Sequence, residues 1–288
     1  MNPKASIIIC TYNDEKYLRG CIQRILENTF KDFELIIVND ASTDNTEKII
    51  KSFKDKRIRY YKNKKNMGSI GRTRNYAFNL ARGKYVLSTD SDCYVRKDWI
   101  ENTIKPFKDK DVVAVEGQII YVSKSHKLTF SDVIVSNTVG NRYMTGNMAY
   151  RRDILKKESF NPTRTAFEDR ELGIRLKKYG RIVFEKKSVV YHQIKKMSIK
   201  TYLHLANRAE SRVVLYKNLG DTDFMTGRIL HLKSLIKLFV PPLMIFTLFN
   251  NRFEDWDDYK LVPFIYVKTV YMRYIIWKSA IKHRVFVI

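Results

Sequence analysis

Acidic residues are the scarce class in this chain: 30 Asp and Glu face 54 Lys and Arg over 288 residues, a formal charge of +24. Such an excess suits nucleic acid, anionic lipid headgroups or phosphorylated substrates, although codon usage that inflates Lys, Ile, Tyr and Asn accounts for it equally well. No compact basic-aromatic recognition motif accompanies the charge, so nucleic acid is not the expected partner. The three cysteines (Cys10, Cys21, Cys93) are odd in number and show no Cys-x-x-Cys spacing, which fits a reducing cytoplasm. No Gly-x-Gly-x-x-Gly follows the first apolar run and no Gly-x-x-x-x-Gly-Lys-Ser/Thr occurs, which sets aside dinucleotide redox and P-loop chemistry. The N-terminus reads Met-Asn-Pro-Lys and runs directly into a strand pattern, with no signal peptide expected. Long uncharged runs are missing as well. The longest, Leu238 to Phe249, is broken by Pro241 and Pro242 and falls short of a bilayer of about 30 Å.

What is present is an alternation. Ala5–Cys10 and Phe33–Val38 are near-continuous apolar runs, the pattern of strands buried on both faces of a parallel sheet. Between them, Leu18, Cys21, Ile22, Ile25 and Leu26 recur at helical spacing, and Ile49, Ile50 and Phe53 mark a second helix. Ile58–Tyr61 and Tyr85–Leu87 are a third and fourth strand, with an Asn66-Met67-Gly68 turn and a helix from Arg72 to Arg82 between them. Strands and helices in this order predict a doubly wound, mostly parallel α/β sheet with right-handed crossovers. In such sheets ligands bind beyond the carboxyl ends of the strands. Three runs end in polar residues at that edge: Thr11-Tyr12-Asn13, Asn39-Asp40 and Asp90-Ser91-Asp92.

The third ending carries chemistry. Strand alternation puts Asp90 and Asp92 on one side, and two anions that close repel unless a proton or cation lies between them. A divalent ion carrying a diphosphate meets that need. Farther on come the runs Val112–Val115 and Ile119–Val122, read as two strands, and a weakly patterned stretch from Lys124 to Val139, read as a mobile region. Arg181–Phe184 reads as an edge strand, followed by Val189–His192. Glu168 and Asp169 open a helix bearing Leu172, Ile174 and Leu176, where the helix dipole alone favours carboxylates.

Taken in order, Ser-Ile-Ile-Ile-Cys-Thr-Tyr-Asn, then Glu-Leu-Ile-Ile-Val-Asn-Asp40-Ala-Ser-Thr-Asp, then Asn66-x-Gly68 with Arg74-Asn75, then Asp90-Ser-Asp92, resemble the family 2 glycosyltransferases over about residues 5 to 195. The resemblance implies the GT-A fold and an inverting hexosyltransferase that uses a nucleotide-diphospho sugar, with a UDP-sugar favoured. It implies a catalytic domain of residues 1–195, with a nucleotide-sugar half to about residue 95 and an acceptor half beyond it, and a helical extension of residues 196–288. Thr11, Tyr12 and Asn13 would line the nucleotide pocket, and Asp40 would accept a hydrogen bond from base or ribose. Arg74, with Arg72, would lie near base or diphosphate. Asp90 and Ser91 would sit on the ribose or sugar side, while Asp92 would bind Mn2+ or Mg2+ in the Asp-x-Asp motif, with His192 as a further ligand. Gly146 and Asn147 would line the donor-sugar pocket. An inverting transfer needs a carboxylate to take the acceptor's proton. The resemblance gives that role to Asp169, with Glu168 positioning the acceptor or supporting the base.

After His192 the α/β pattern stops. One long helix is expected from Tyr202 to Leu219, closed by Gly220. The run Leu261 to Trp277 carries Lys268 and Arg273 on different sides of a helix, which argues against a clean span. Its tyrosines and Trp277 beside Lys and Arg suit a membrane interface. The expected setting is cytoplasmic, peripheral at the inner face of an anionic membrane, with a glycan or lipid-linked acceptor. The other use of these helices is a cap or an oligomer contact. A nucleotidyltransferase of similar fold and a basic nucleic-acid binder are the alternative functions. The first would not need the Glu168-Asp169 pair, and the second would find its phosphates repelled by acidic strand ends.

Overall fold

Each residue of β1 (Ala5–Thr11) and β2 (Phe33–Asn39) is hidden or nearly so, as apolar runs without polar alternation require. The computed structural model describes residues 2–122, 128–240, 253 and 256–288. It divides into one unit made of 1–122, 135–164 and 168–193 and another made of 123–134, 165–167 and 194–288.

The first unit is built on an eight-stranded sheet. To β1 and β2 it adds β3 (Ile58–Lys62), β4 (Tyr85–Ser88), β5 (Cys93–Val95), β6 (Val112–Val122), β8 (Met148–Arg151) and β9 (Arg181–Gln193), in the order β3-β2-β1-β4-β8-β6-β9-β5. The short strand β7 (Asp132–Val133) belongs to the second unit. β3, β2, β1 and β4 run parallel, β8 runs antiparallel to both β4 and β6, and β6 and β9 are parallel.

Alternation along β1 sends Ile7 and Ile9 to one face and Ile8 to the other. On the first face they meet Leu18, Ile22 and Ile25 of α1 (Glu15–Leu26) and Trp99 and Ile100 of α4 (Trp99–Ile104). On the second, Ile8 joins Ala77 and Phe78 of α3 (Ile70–Asn79) and Leu172 and Leu176 of α6 (Glu168–Leu176). The helix α2 (Thr46–Ser52) lies between β2 and β3 in the chain.

Several expectations change. The runs Val112–Val115 and Ile119–Val122 are a single strand, β6, with a register shift between Gly117 and Gln118. Arg181–Phe184 and Val189–His192 likewise belong to one strand, β9, which lies inside the sheet; the edge belongs to β5, too short to be read from its three residues. Asp90 and Asp92 are not on a strand: β4 stops at Ser88, and the two acids occupy the turn into β5. Within 124–139, residues 124–127 lie outside the described ones, and farther along Asn137 and Ile119 exchange backbone hydrogen bonds of 2.9 Å.

The second unit is mainly helical. The segment expected as one helix is two, α7 (Ile199–His204) and α8 (Arg208–Leu219), joined by a 3-10 turn and closed by Gly220 at φ +63°. α9 (Leu232–Phe239) and the C-terminal helix Pro263–His283 belong to the same unit, with Ala209 and Val213 packing on Ile276 and Ala280. Most of the apolar run Leu238–Phe249 lies outside the described residues. Among those described, no helix is long and apolar enough to cross a membrane.

Candidate active site

Register brings the polar strand ends together. Thr11 of β1 lies opposite Asn39 of β2, and the Thr89 amide just past β4 donates to Ile8 O on the other flank of β1. Asn13 adopts φ +54°, which asparagine tolerates better than most residues. Its Oδ1 accepts from the Thr43 amide at 2.8 Å, and its own amide donates to Ser42 Oγ at 3.0 Å, so the loop after β1 is tied to the loop after β2. Tyr12 is left about half exposed on that edge. The hydroxyl of Thr11 is buried without a hydrogen-bond partner among the described residues. The Asp40 carboxylate is buried and already engaged, accepting from Asn63 Nδ2 at 2.6 Å, the Met67 amide at 3.1 Å and Thr73 Oγ1 at 3.1 Å. It fixes the Asn66–Gly68 turn and the start of α3.

α3 separates the two arginines, with Arg72 in solvent and Arg74 buried. The Arg74 guanidinium donates to Glu168 Oε1 at 2.5 Å and to Asp90 Oδ1 at 3.4 Å. One side chain thus reaches both acid clusters, which are 78 residues apart in the chain when counted from Asp90 to Glu168. Burial alone would lower the arginine's pKa, but the nearby Asp90, Glu168 and Asp169 more than reverse this and hold it above its ordinary value.

At the turn, Asp90, Asp92, Cys93 and His192 place one ligand atom each within 4.8 Å of one another. Pairing of β5 with β9 sets Cys93 opposite His192, which is why residues a hundred positions apart converge. His192 Nδ1 lies 2.9 Å from Gln193 O, so the Nδ1–H tautomer donates there and leaves Nε2, 3.5 Å from Asp92 Oδ1, with its lone pair toward the acids. A backbone partner that orients the ring in this way is the usual support of a metal-bound imidazole. Two carboxylates and a neutral imidazole suit Mn2+ or Mg2+, and the cluster fits a divalent ion. The Cys93 thiol is pushed far up by burial and by both aspartates, so it stays protonated. Burial also raises the Asp90 carboxyl; Arg74 opposes this, and Asp92 adds to it. Ser91 turns its hydroxyl to Asp14 Oδ2.

Gly146 and Asn147 part company. A Cβ on Gly146 would come to 3.0 Å from Asp90 Oδ2, so that the carboxylate would have to give way by a few tenths of an ångström. Asn147 is wholly buried and its amide is used within the protein: Oδ1 accepts from Trp99 Nε1 at 2.8 Å, and Nδ2 donates to Gln118 O and Ser188 O at 2.9 Å. A Cβ on Gly117 would collide with that amide at 2.2 Å.

Asp169 begins α6 beside Glu168, with Oδ1 accepting from the Arg170 amide at 2.8 Å. Its carboxyl is pushed up to about 6, first by burial and then by the Glu168 charge, against the pull of Arg74. Glu168 is the member held by Arg74, and Asp169 is the one left with a proton affinity near neutrality.

One organising residue escaped the sequence reading. Glu116, buried in β6, accepts from Asn137 Nδ2 at 2.8 Å and from the amides of Asn141, Arg142 and Tyr143 at 2.7, 2.8 and 2.5 Å. It holds a loop in which Asn141 and Tyr143 both have positive φ, just ahead of Gly146. Its only signal was a lone carboxylate in the apolar run Val112–Val122.

The profile of "Glycosyl transferase family 2" matches residues 6–171, more than half of the chain. An uncharacterized glycosyltransferase of Methanocaldococcus jannaschii is 32% identical over 187 residues, covering 60% of this chain and 64% of that protein. The Escherichia coli enzyme named UDP-Glc:alpha-D-GlcNAc-diphosphoundecaprenol beta-1,3-glucosyltransferase WfaP is 36% identical over 124 residues, covering 43% of this chain and 49% of that one. Glycosyltransferase GlyG of Streptococcus pneumoniae is matched over only 39% of its length, so the chain spans between about two fifths and two thirds of these curated relatives. Among solved structures, Staphylococcus aureus TarS in complex with UDP-GlcNAc aligns at TM-score 0.57 with 23% identity, over 73% of this chain and 66% of that one. Mannosyltransferase PcManGT of Pyrobaculum calidifontis, in complex with GDP-Man and Mn2+, aligns at 0.62 with 16% identity, over 99% of this chain and 88% of that one. The structural likenesses carry the GT-A fold, and the extent of the profile match places the chain in glycosyl transferase family 2.

Proposed function

We propose that the protein is a metal-dependent inverting hexosyltransferase that moves a sugar from a nucleotide-diphospho sugar, by preference a UDP-sugar, to a hydroxyl acceptor. The observation that carries this is the Arg74 guanidinium reaching both Glu168 and Asp90, because it joins a cation-seeking acid cluster to an acid pair containing a poised base. Asp169, raised to about 6, takes the acceptor's proton at neutral pH. The acceptor oxygen bonds to the anomeric carbon as the bond to the diphosphate breaks, and the diphosphate departs with the bonding electrons. Asp90, Asp92 and His192 would hold a divalent ion, which would supply electrostatic stabilisation of the leaving group. Thr11, Tyr12 and Asn13 receive the nucleotide, with Asp40 and Arg74 shaping its pocket, and Gly146 leaves room beside Asp90 for the sugar.

The relatives point to cell-surface glycan synthesis: the E. coli enzyme is named for a diphosphoundecaprenol-linked substrate and TarS for poly(ribitol-phosphate). A lipid-linked or polymeric glycan is therefore the proposed acceptor class. Tyr266, Tyr271, Tyr274 and Trp277 on the C-terminal helix are each about 40–50% exposed, which supports peripheral contact with the inner face of an anionic membrane.

The test is a screen of nucleotide-diphospho sugars with Mn2+ and Mg2+, reading nucleoside diphosphate release. Release that requires the metal and increases with glycan acceptor is expected. Release indifferent to a chelator, or absent with every such donor while nucleotide triphosphates react, would overturn the reading.

A further inference from the structure

The C-terminal helix Pro263–His283 carries a polar stripe beside its packed face. Ile276 and Ala280 meet Ala209 and Val213, while Tyr271, Tyr274, Lys278 and Lys282 recur three or four residues apart, with Ser279 on the same side. This stripe is one wall of a cavity of about 400 Å³, to which Thr165, Asn207, Arg208 and Glu210 also contribute. Every one of these residues belongs to the C-terminal unit. The volume falls within the range of about 300–1,000 Å³ usual for small-ligand sites.

One group in this wall is left over. Ser279 is 2% exposed, and its hydroxyl has no hydrogen-bond partner among the described residues. A buried hydroxyl in that state is uncommon, because nothing in the fold repays its lost hydration. The cations around it are already engaged. Lys282 Nζ lies 3.1 Å from Glu210 Oε1, the Arg208 guanidinium 4.6 Å from the centre of the Phe167 ring, and the Lys278 ammonium 5.6 Å from the centre of the Tyr274 ring. His204 Nδ1, also in the wall, is 3.1 Å from Asn207 Nδ2. These pairings favour an uncharged ligand over an ion. What the wall offers such a ligand is the partly exposed rings of Tyr271 and Tyr274, hydroxyls that both donate and accept, an amide and a carboxylate. A pyranose matches this mixture: its C–H face lies against the negative face of an aromatic ring, and its hydroxyls donate and accept in turn.

We propose that this cavity binds a saccharide, with Tyr271 and Tyr274 against the sugar face and the Ser279 hydroxyl bonded to one of the sugar hydroxyls. The inference stands on residues of the C-terminal unit alone and does not rest on the transferase reading. Tyr271 and Tyr274 are also among the side chains assigned above to membrane contact, whereas Trp277 is not in the cavity wall and tells the two uses apart. A free glycan and a glycolipid headgroup present the same hydroxyls, and the experiment separates them.

The full chain, without donor or metal, is titrated with maltotetraose, cellotetraose and chitotetraose by saturation-transfer NMR and calorimetry, with citrate as the control anion. It is also sedimented with phosphatidylcholine vesicles with and without a glucosyl diacylglycerol. At least one tetrasaccharide binds with a Kd of about 1 mM or tighter, and Tyr274→Ala, at a half-exposed position that folding does not require, weakens it by about tenfold. Ser279→Ala weakens it to a smaller extent, whereas Trp277→Ala does not. Vesicle retention that needs the glycolipid and falls in Tyr274→Ala assigns the site to a lipid-borne sugar. Tetrasaccharide binding without such retention assigns it to a free glycan, and either result supports the site. Binding of no sugar probe, binding indifferent to both the Tyr274 and Ser279 substitutions, or citrate bound in place of every sugar would overturn the proposal.

Discussion

The two units handle charge in opposite ways. In the sheet unit, Asp90, Glu168 and Asp169 surround one buried arginine, and Asp92 stands beside Asp90 in the group with Cys93 and His192. In the C-terminal unit, Lys233, Lys237 and Lys268 line one cavity, and no aspartate or glutamate among the described residues is in its wall. Buried like charges persist when something outside the chain neutralises them. The contrast teaches that the overall charge of +24 is a poor guide to function, since the site with the most chemistry is locally acidic.

The strongest way to break this comparison is to remove an acid from the cation-seeking cluster. Asp92→Ala is expected to lower sugar transfer by roughly a thousandfold or more and to abolish the metal dependence of donor binding, measured by nucleoside diphosphate release and by donor titration with and without Mn2+. Arg74→Met should come next. With Glu168 and Asp90 left facing each other unpaired, thermal or urea unfolding should show a loss of about 3 kcal/mol, and transfer should fall with it.

The pH dependence sharpens the role of Asp169. With its carboxyl raised to about 6, transfer should fall tenfold per unit as the pH drops below that value and level off above it. The stability linkage runs the other way. The folded state holds this proton up to about 6 and the unfolded chain releases it near 3.8, so stability contributed by the group is present at low pH and lost as the pH rises through that window. Asp169→Asn should remove this component from a pH series of melting temperatures. Glu116→Gln should cost about 1–3 kcal/mol, because an amide NH2 then faces backbone amides that now donate to carboxylate oxygen. Arg72→Ala, in solvent, should change stability by no more than about 0.5 kcal/mol.

The parallel half of the fold was legible because strands buried on both faces read as unbroken apolar runs, and β1, β2 and β4 have little else in them. The breaks misread in β6 and β9 have a local cause. Gly117 and the polar Glu185–Ser188 stretch interrupt the apolar pattern without ending the strand, and the register shift between Gly117 and Gln118 absorbs the irregularity. Asp90 and Asp92 were legible as a pair, but strand alternation was the wrong reason for their convergence; a turn presents them, and His192 arrives through pairing of β5 with β9. Asn147 was legible as a position and not as a role, since its four partners come from Trp99, Gln118 and Ser188, segments that only the fold brings together. Glu116 stayed hidden for the same reason, because three of its four donors are backbone amides, which carry no residue signature.

The most direct test compares Asp169→Asn with the parent in two assays on the same preparation, metal-dependent binding of the nucleotide-sugar and single-turnover transfer to acceptor. The account predicts donor affinity within about twofold of the parent, well inside the 1.4 kcal/mol that a tenfold change represents, and no detectable transfer. Transfer by Asp169→Asn at the parent rate would contradict it.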